Sequence, residues 1–137
     1  MDTVVFDAQP LVAFVFDEPA ADQVESWMRR CARTGCGVIA SVNWCEVLYV
    51  IARRLDEHAA ARAVYLLEDS GISVIDVGRD IATRAADLKA RHALGLGDAF
   101  AAALAMATGS PLLTGDTDFL PLADHGLAIE WVGEPRG

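Results

Sequence analysis

The sequence predicts an α/β layer fold with a mostly parallel central sheet of about five strands. Two observations carry this. Short apolar runs rich in β-branched residues fall at 4–6, 38–40, 72–77, 111–114 and 129–132, and stretches of helical periodicity separate them. That alternation, at this spacing, is the pattern of strand–helix–strand units. A third observation is length, because 137 residues suit one domain over 1–137 and leave little room for a second. A domain of this size buries most of its unfolded surface and needs no metal or disulfide to fold.

Val4-Val5-Phe6 reads as a buried strand ending at Asp7, and 10–16 as a short helix stopped by Asp17-Glu18-Pro19. A second helix over 20–34 has Val24, Trp27, Met28 and Cys31 three and four residues apart. It closes at Gly35, a residue free to take the left-handed cap conformation. After the strand Val38-Ile39-Ala40, Ser41 is placed to cap a helix to about Leu55, with Trp44, Val47, Leu48, Ile51 and Leu55 on its apolar face. A fourth helix over 58–69 stops at Ser70-Gly71, before the strand at 72–77. Gly78-Arg79-Asp80 leads into a helix to His92 that carries Ile81, Ala85 and Leu88 on one side. Gly95 and Gly97 interrupt the pattern, which puts Asp98 at the N-cap of an alanine-rich helix over 99–108. The runs at 111–114 and 129–132 complete the sheet.

Hydrophobic residues make up 53% and charged residues 23%, a globular balance. No apolar run is long enough to span a bilayer. The Met1-Asp2-Thr3 start has no basic n-region or small-residue cleavage site, so the expectation is a cytoplasmic protein without a secretory signal. A net charge of -9 argues against salt-driven binding along nucleic acid. It is compatible with an enzyme that meets nucleic acid at one site through bound cations, which reverse the local sign. Cys31, Cys36 and Cys45 lack zinc-site spacing and are expected as small buried hydrophobes.

In parallel sheets, ligands sit beyond the carboxyl ends of the strands. Asp7 and Asp116 follow strands at that edge, and Asp98 opens a helix whose preceding loop belongs on the same side. Glu46 falls about one turn into the helix that leaves the second strand, and Asp118 lies two residues past Asp116. Singly, each has a structural explanation: a helix cap, an exposed helix position, a tight turn. Together they form a carboxylate cluster, and like charges in a partly buried crevice raise one another's pKa. Hard divalent cations, Mg²⁺ or Mn²⁺, relieve this and supply phosphodiester chemistry. His58, His92 and His125 are not near these acids in the pattern, so no zinc site is expected.

The chain resembles the PIN-domain family, and within it the VapC-type toxin ribonucleases of type II toxin–antitoxin pairs. The resemblance spans nearly the whole chain. It rests on Val5-Phe6-Asp7-Ala8, on Ser41-Val42-Asn43-Trp44-Cys45-Glu46-Val47, on Leu94-Gly95-Leu96-Gly97-Asp98-Ala99, and on Leu113-Thr114-Gly115-Asp116-Thr117-Asp118-Phe119. It implies a three-layer α/β/α PIN-like fold. It also implies an Mg²⁺- or Mn²⁺-dependent endoribonuclease whose acids are Asp7, Glu46, Asp98 and Asp116. Asp118 would assist at the metal, with Thr114 and Asn43 as polar support. The implied partners are an RNA substrate, an antitoxin that puts a basic side chain into the crevice, and a second copy of the chain in a homodimer. One departure is Gln9-Pro10, where the family often has Ser or Thr shortly after the first Asp.

Parts of the sequence also fit other protein classes. A haloacid-dehalogenase-like phosphatase would use Asp7 as nucleophile, but it needs a second Asp two residues on, where Gln9 stands. A receiver domain would need paired early acids and a late lysine on a strand, and neither is present. A non-catalytic PIN-like module would be expected to lose acids, whereas this chain keeps all four. Arg53, two helical turns beyond Glu46, is the candidate for holding substrate phosphate.

Overall fold

The computed structural model describes residues 2–133. Five strands, β1 (Val4–Phe6), β2 (Gly37–Ala40), β3 (Ser73–Ile75), β4 (Leu112–Thr114) and β5 (Ile129–Trp131), form one sheet in the order β3-β2-β1-β4-β5. Every strand pair is parallel. The connecting helices are α1 (Ala8–Val15), α2 (Ala21–Thr34), α3 (Ser41–Arg54), α4 (Glu57–Glu68), α5 (Arg79–Arg91), α6 (Leu96–Thr108) and α7 (Leu120–Ala123). Because β1 is central, the chain builds outward to β3 and then crosses back to β4. The strand order therefore reverses between β1 and β4. A crevice opens beyond the carboxyl ends of strands at such a switch point.

Strand alternation sorts the core into two layers. Phe6, Ile39 and Leu113 pack with Leu11, Val24, Val47, Ile51 and Leu67 on one face. Val5, Ala40 and Leu112 pack on the other with Phe119, Leu122 and the buried alanines of α6. Ala99, Ala101, Ala102, Ala103 and Ala105 are all buried, and their small side chains let α6 lie close against α5 and the sheet. These layers make the predicted α/β/α sandwich.

The structure corrects several boundaries. β3 covers three residues rather than 72–77, because β2 ends at Ala40, opposite Ile75, and residues beyond have no ladder partner. Ser41 is the first residue of α3, not its cap; its hydroxyl instead accepts from the Val77 amide at 3.4 Å. α6 begins at Leu96 with Gly95 as N-cap, so Asp98 lies inside the first turn rather than at the cap. The segment after β4 adds a single 3₁₀ turn (Thr117–Phe119) and α7, with Phe119 and Leu122 buried. Cys45 is exposed, contrary to expectation, whereas Cys31 and Cys36 are buried with their sulfurs 2.9 Å apart. Burial, then Cys36, pushes the Cys31 thiol up to about 12. Among the described residues no helix is long and apolar enough to cross a membrane.

Candidate active site

Asp7 follows β1 directly, in extended backbone just ahead of α1, and is only 2% exposed. Its Oδ2 accepts from Thr114 Oγ1 at 2.9 Å. Burial pushes its carboxyl up to about 7, and the charges of Asp98 and Glu46 act in the same direction. Hydrogen bonds from Thr114 and the Ala8 backbone oppose the rise. Asp98, half-buried in the first turn of α6, is raised to about 6. Burial is the main cause, followed by repulsion from Asp116, Glu46 and Asp118. Two carboxylates far apart in the sequence thus share one electrostatic field. The fold holds them together against repulsion.

Thr114, fully buried at the end of β4, links the two strands at the switch point. While its hydroxyl donates to Asp7, it accepts from the Asp116 amide at 3.0 Å. Asp116 Oδ1 in turn accepts from the Asp118 amide at 2.9 Å and caps the 3₁₀ turn. The Thr-Gly-Asp-Thr-Asp segment is therefore a turn, as its composition suggests, and the turn brings both carboxylates close to that of Asp98.

Glu46 is set by a second device. Asn43, fully buried one turn earlier on α3, donates through Nδ2 to Glu46 Oε1 at 2.8 Å and to the Gly97 carbonyl at 3.0 Å. One amide thereby fastens α3 to the start of α6. The cost is a buried Asn43 Oδ1 without a hydrogen-bond partner among the described residues. An orphaned acceptor of this kind costs about 1–3 kcal/mol.

Gly97 is a residue packed against this candidate site that the sequence does not single out. A Cβ at this position would collide with the Glu46 carboxylate. Glycine in a helix is unfavourable by about 1 kcal/mol, and here it makes room for an acid from a different helix. The only local signal is a glycine between Leu96 and Asp98, which reads equally well as a helix breaker.

All five predicted acids lie at one edge of the sheet. The tightest group is Asp98, Asp116 and Asp118, each of which offers a carboxylate oxygen within 4.8 Å of the other two. An all-oxygen, acidic donor set suits a hard divalent cation such as Mg²⁺ or Mn²⁺. Asp7 and Glu46 lie outside this set of three but close enough for their charges to act on it. Arg53 is exposed on α3; its guanidinium donates to Tyr49 Oη at 2.7 Å and sits 5.6 Å from that ring's centroid.

The five strands form one parallel sheet, and the acids gather at its switch point. The model of the PIN domain matches residues 4–124, and the chain belongs to the PIN-domain family. The solved structures it resembles include several from VapBC toxin–antitoxin complexes. VapBC2 from Rickettsia felis, bound to a DNA fragment from its promoter, superposes with a TM-score of 0.79 at 16% identity, covering 96% of this chain and 99% of that one. A toxin–antitoxin complex from Klebsiella pneumoniae is 26% identical with a TM-score of 0.63, over 85% of this chain and 90% of that one. VapC20 from Mycobacterium tuberculosis, a toxin that cleaves the sarcin–ricin loop, gives 0.70 at 16% identity, over 92% and 97%. No curated protein matches the chain.

Proposed function

We propose that the chain is a divalent-metal-dependent endoribonuclease and the toxin of a toxin–antitoxin pair. The observation that carries this is the oxygen cluster of Asp98, Asp116 and Asp118 beside the buried Asp7, in a PIN-domain fold. Bound Mg²⁺ or Mn²⁺ supplies Lewis-acid activation of water and neutralises charge on the phosphodiester. Asp98, Asp116 and Asp118 would hold the ion, with Asp7 and Glu46 completing the negative field on the buried side. Thr114 fixes the Asp7 carboxylate, and Asn43 fixes that of Glu46. Arg53 would meet substrate phosphate from the exposed side of α3. The antitoxin reading draws on the similar complexes and on charge, since a chain of net charge -9 with a carboxylate crevice attracts a basic segment.

Water attacks the scissile phosphorus in line, the bond to the 3′ oxygen breaks, and that oxygen takes up a proton. Products should therefore carry 5′-phosphate and 3′-hydroxyl ends. End-labelling and phosphatase sensitivity of the fragments check this. Cyclic 2′,3′-phosphate ends would mean attack by the 2′-hydroxyl and would overturn the mechanism.

Gly97→Ala tests the positioning of Glu46. The clash falls on the far end of a flexible side chain, so the fold survives while Glu46 swings away from Asn43. Misplacing a site group by about 1 Å can cost on the order of a hundredfold in rate. We expect RNA cleavage to fall at least tenfold with little change in melting temperature. Equal loss of stability and activity would make Gly97 a packing residue only.

A further inference from the structure

Resting on the metal-site reading above, we infer that Gln9 is a positioning residue for Asp116. Its Oε1 accepts from the Gly115 amide at 2.8 Å, joining the first turn of α1 to the loop after β4. Two parallel links thereby connect these segments. Asp7 receives the Thr114 hydroxyl, and Gln9 receives the Gly115 amide. Asp116, the next residue, hangs from the Thr114 hydroxyl through its own amide. The Thr114 hydroxyl and the Gly115 amide are thus both tied to the segment that carries Asp7, and the Asp116 amide is tied to Thr114.

The packing around Gly115 shows that the link is built in rather than incidental. A Cβ there would stand 2.9 Å from the Val132 carbonyl oxygen and 3.0 Å from Gln9 Oε1. The Val132 amide donates in turn to the Thr114 carbonyl at 3.1 Å. Gly115 therefore packs closely against both the Gln9 side chain and the Val132 carbonyl, with no room for a side chain of its own. A glutamine reaches this amide from α1 while its backbone stays helical. Without this acceptor, the loop would keep Thr114 in place but lose its link from the Gly115 amide to α1. The Asp116 carboxylate would then sample positions away from Asp98 and Asp118.

The test uses the full, metal-free chain with two readouts: hydrogen exchange of the Gly115 amide by NMR, and Mn²⁺ affinity by calorimetry. Gln9→Met keeps length and removes the acceptor, whereas Gln9→Glu restores an acceptor oxygen. Loss of one neutral hydrogen bond corresponds to roughly a fivefold change in an equilibrium constant. We expect Gly115 exchange to quicken and Mn²⁺ binding to weaken about fivefold in Gln9→Met. In Gln9→Glu the Gly115 amide should be protected again. Faster exchange with unchanged Mn²⁺ affinity would overturn the inference, as would Gly115 exchange that stays fast in Gln9→Glu. Asp116→Asn, measured in parallel, separates the two levels. If it weakens Mn²⁺ binding and Gln9→Met does not, only the role of Gln9 falls. If Asp116→Asn leaves Mn²⁺ binding intact, the metal site falls and this inference with it.

Discussion

In Asp7→Asn, RNA cleavage falls on the order of a hundred- to a thousandfold, while the metal-free protein gains stability at pH 8. The two effects share one cause. Asp7 is almost wholly buried and faces the charges of Asp98 and Glu46, which is why its carboxyl is pushed up to about 7. Above that pH the fold carries an unfavourable buried charge. Asparagine keeps an oxygen to accept from Thr114 and removes the charge, and its new amide protons face carboxylates. Each tenfold rise in proton affinity on folding corresponds to about 1.4 kcal/mol, so the gain is on the order of 2–4 kcal/mol. For a chain of this size that raises the melting temperature by roughly 5–12 °C. Thermal melting and RNA cleavage on the same preparation check both halves. Lower stability in Asp7→Asn would mean that the carboxylate is a structural anchor.

The second large effect is a pH dependence that reverses the usual carboxylate behaviour. Asp7 and Asp98 bind protons more tightly folded, at about 7 and about 6, than at their ordinary value of 3.8. Between about pH 4 and 7 the unfolded chain has lost these protons while the folded chain still holds them. Stability then falls as pH rises through this window and levels off above pH 7. Melting temperature of the metal-free protein should therefore climb on acidification from pH 8 to about 5.5. A cation offsets the same repulsion and competes with protons for the same oxygens. Added Mn²⁺ should stabilise strongly at pH 8 and little at pH 5.5. A melting temperature that drops on acidification, or a metal effect larger at low pH, would contradict the electrostatic origin of this behaviour.

What the sequence shows about this fold depends on how local each signal is. β1, β2 and β4 are short apolar runs buried almost throughout, so composition alone marks them. The acids that end strands, Asp7 and Asp116, can be placed because the topology of parallel sheets assigns that edge. The length of β3 is not legible, because it is set by where its neighbour β2 stops. The start of α6 is hidden because Gly95 and Gly97 look like breakers; Gly97 is helical and leaves space for Glu46. Asn43 and Thr114 enter through family resemblance, yet the hydrogen bonds that hold them span 54 and 107 positions and leave no local signal. Gln9 reads as a loss of the usual hydroxyl, and only the position of the Gly115 amide gives it a use. The exposure of Cys45 is not legible, because a cysteine within a helical pattern does not indicate which face it occupies.

The most direct test is cleavage of a mixed small-RNA pool by the purified protein with Mg²⁺, with Mn²⁺ and with EDTA, alongside Asp98→Asn. A metal-dependent ribonuclease centred on these acids gives discrete cuts that require the metal and vanish in the variant. Cutting that persists in EDTA and in Asp98→Asn would contradict it.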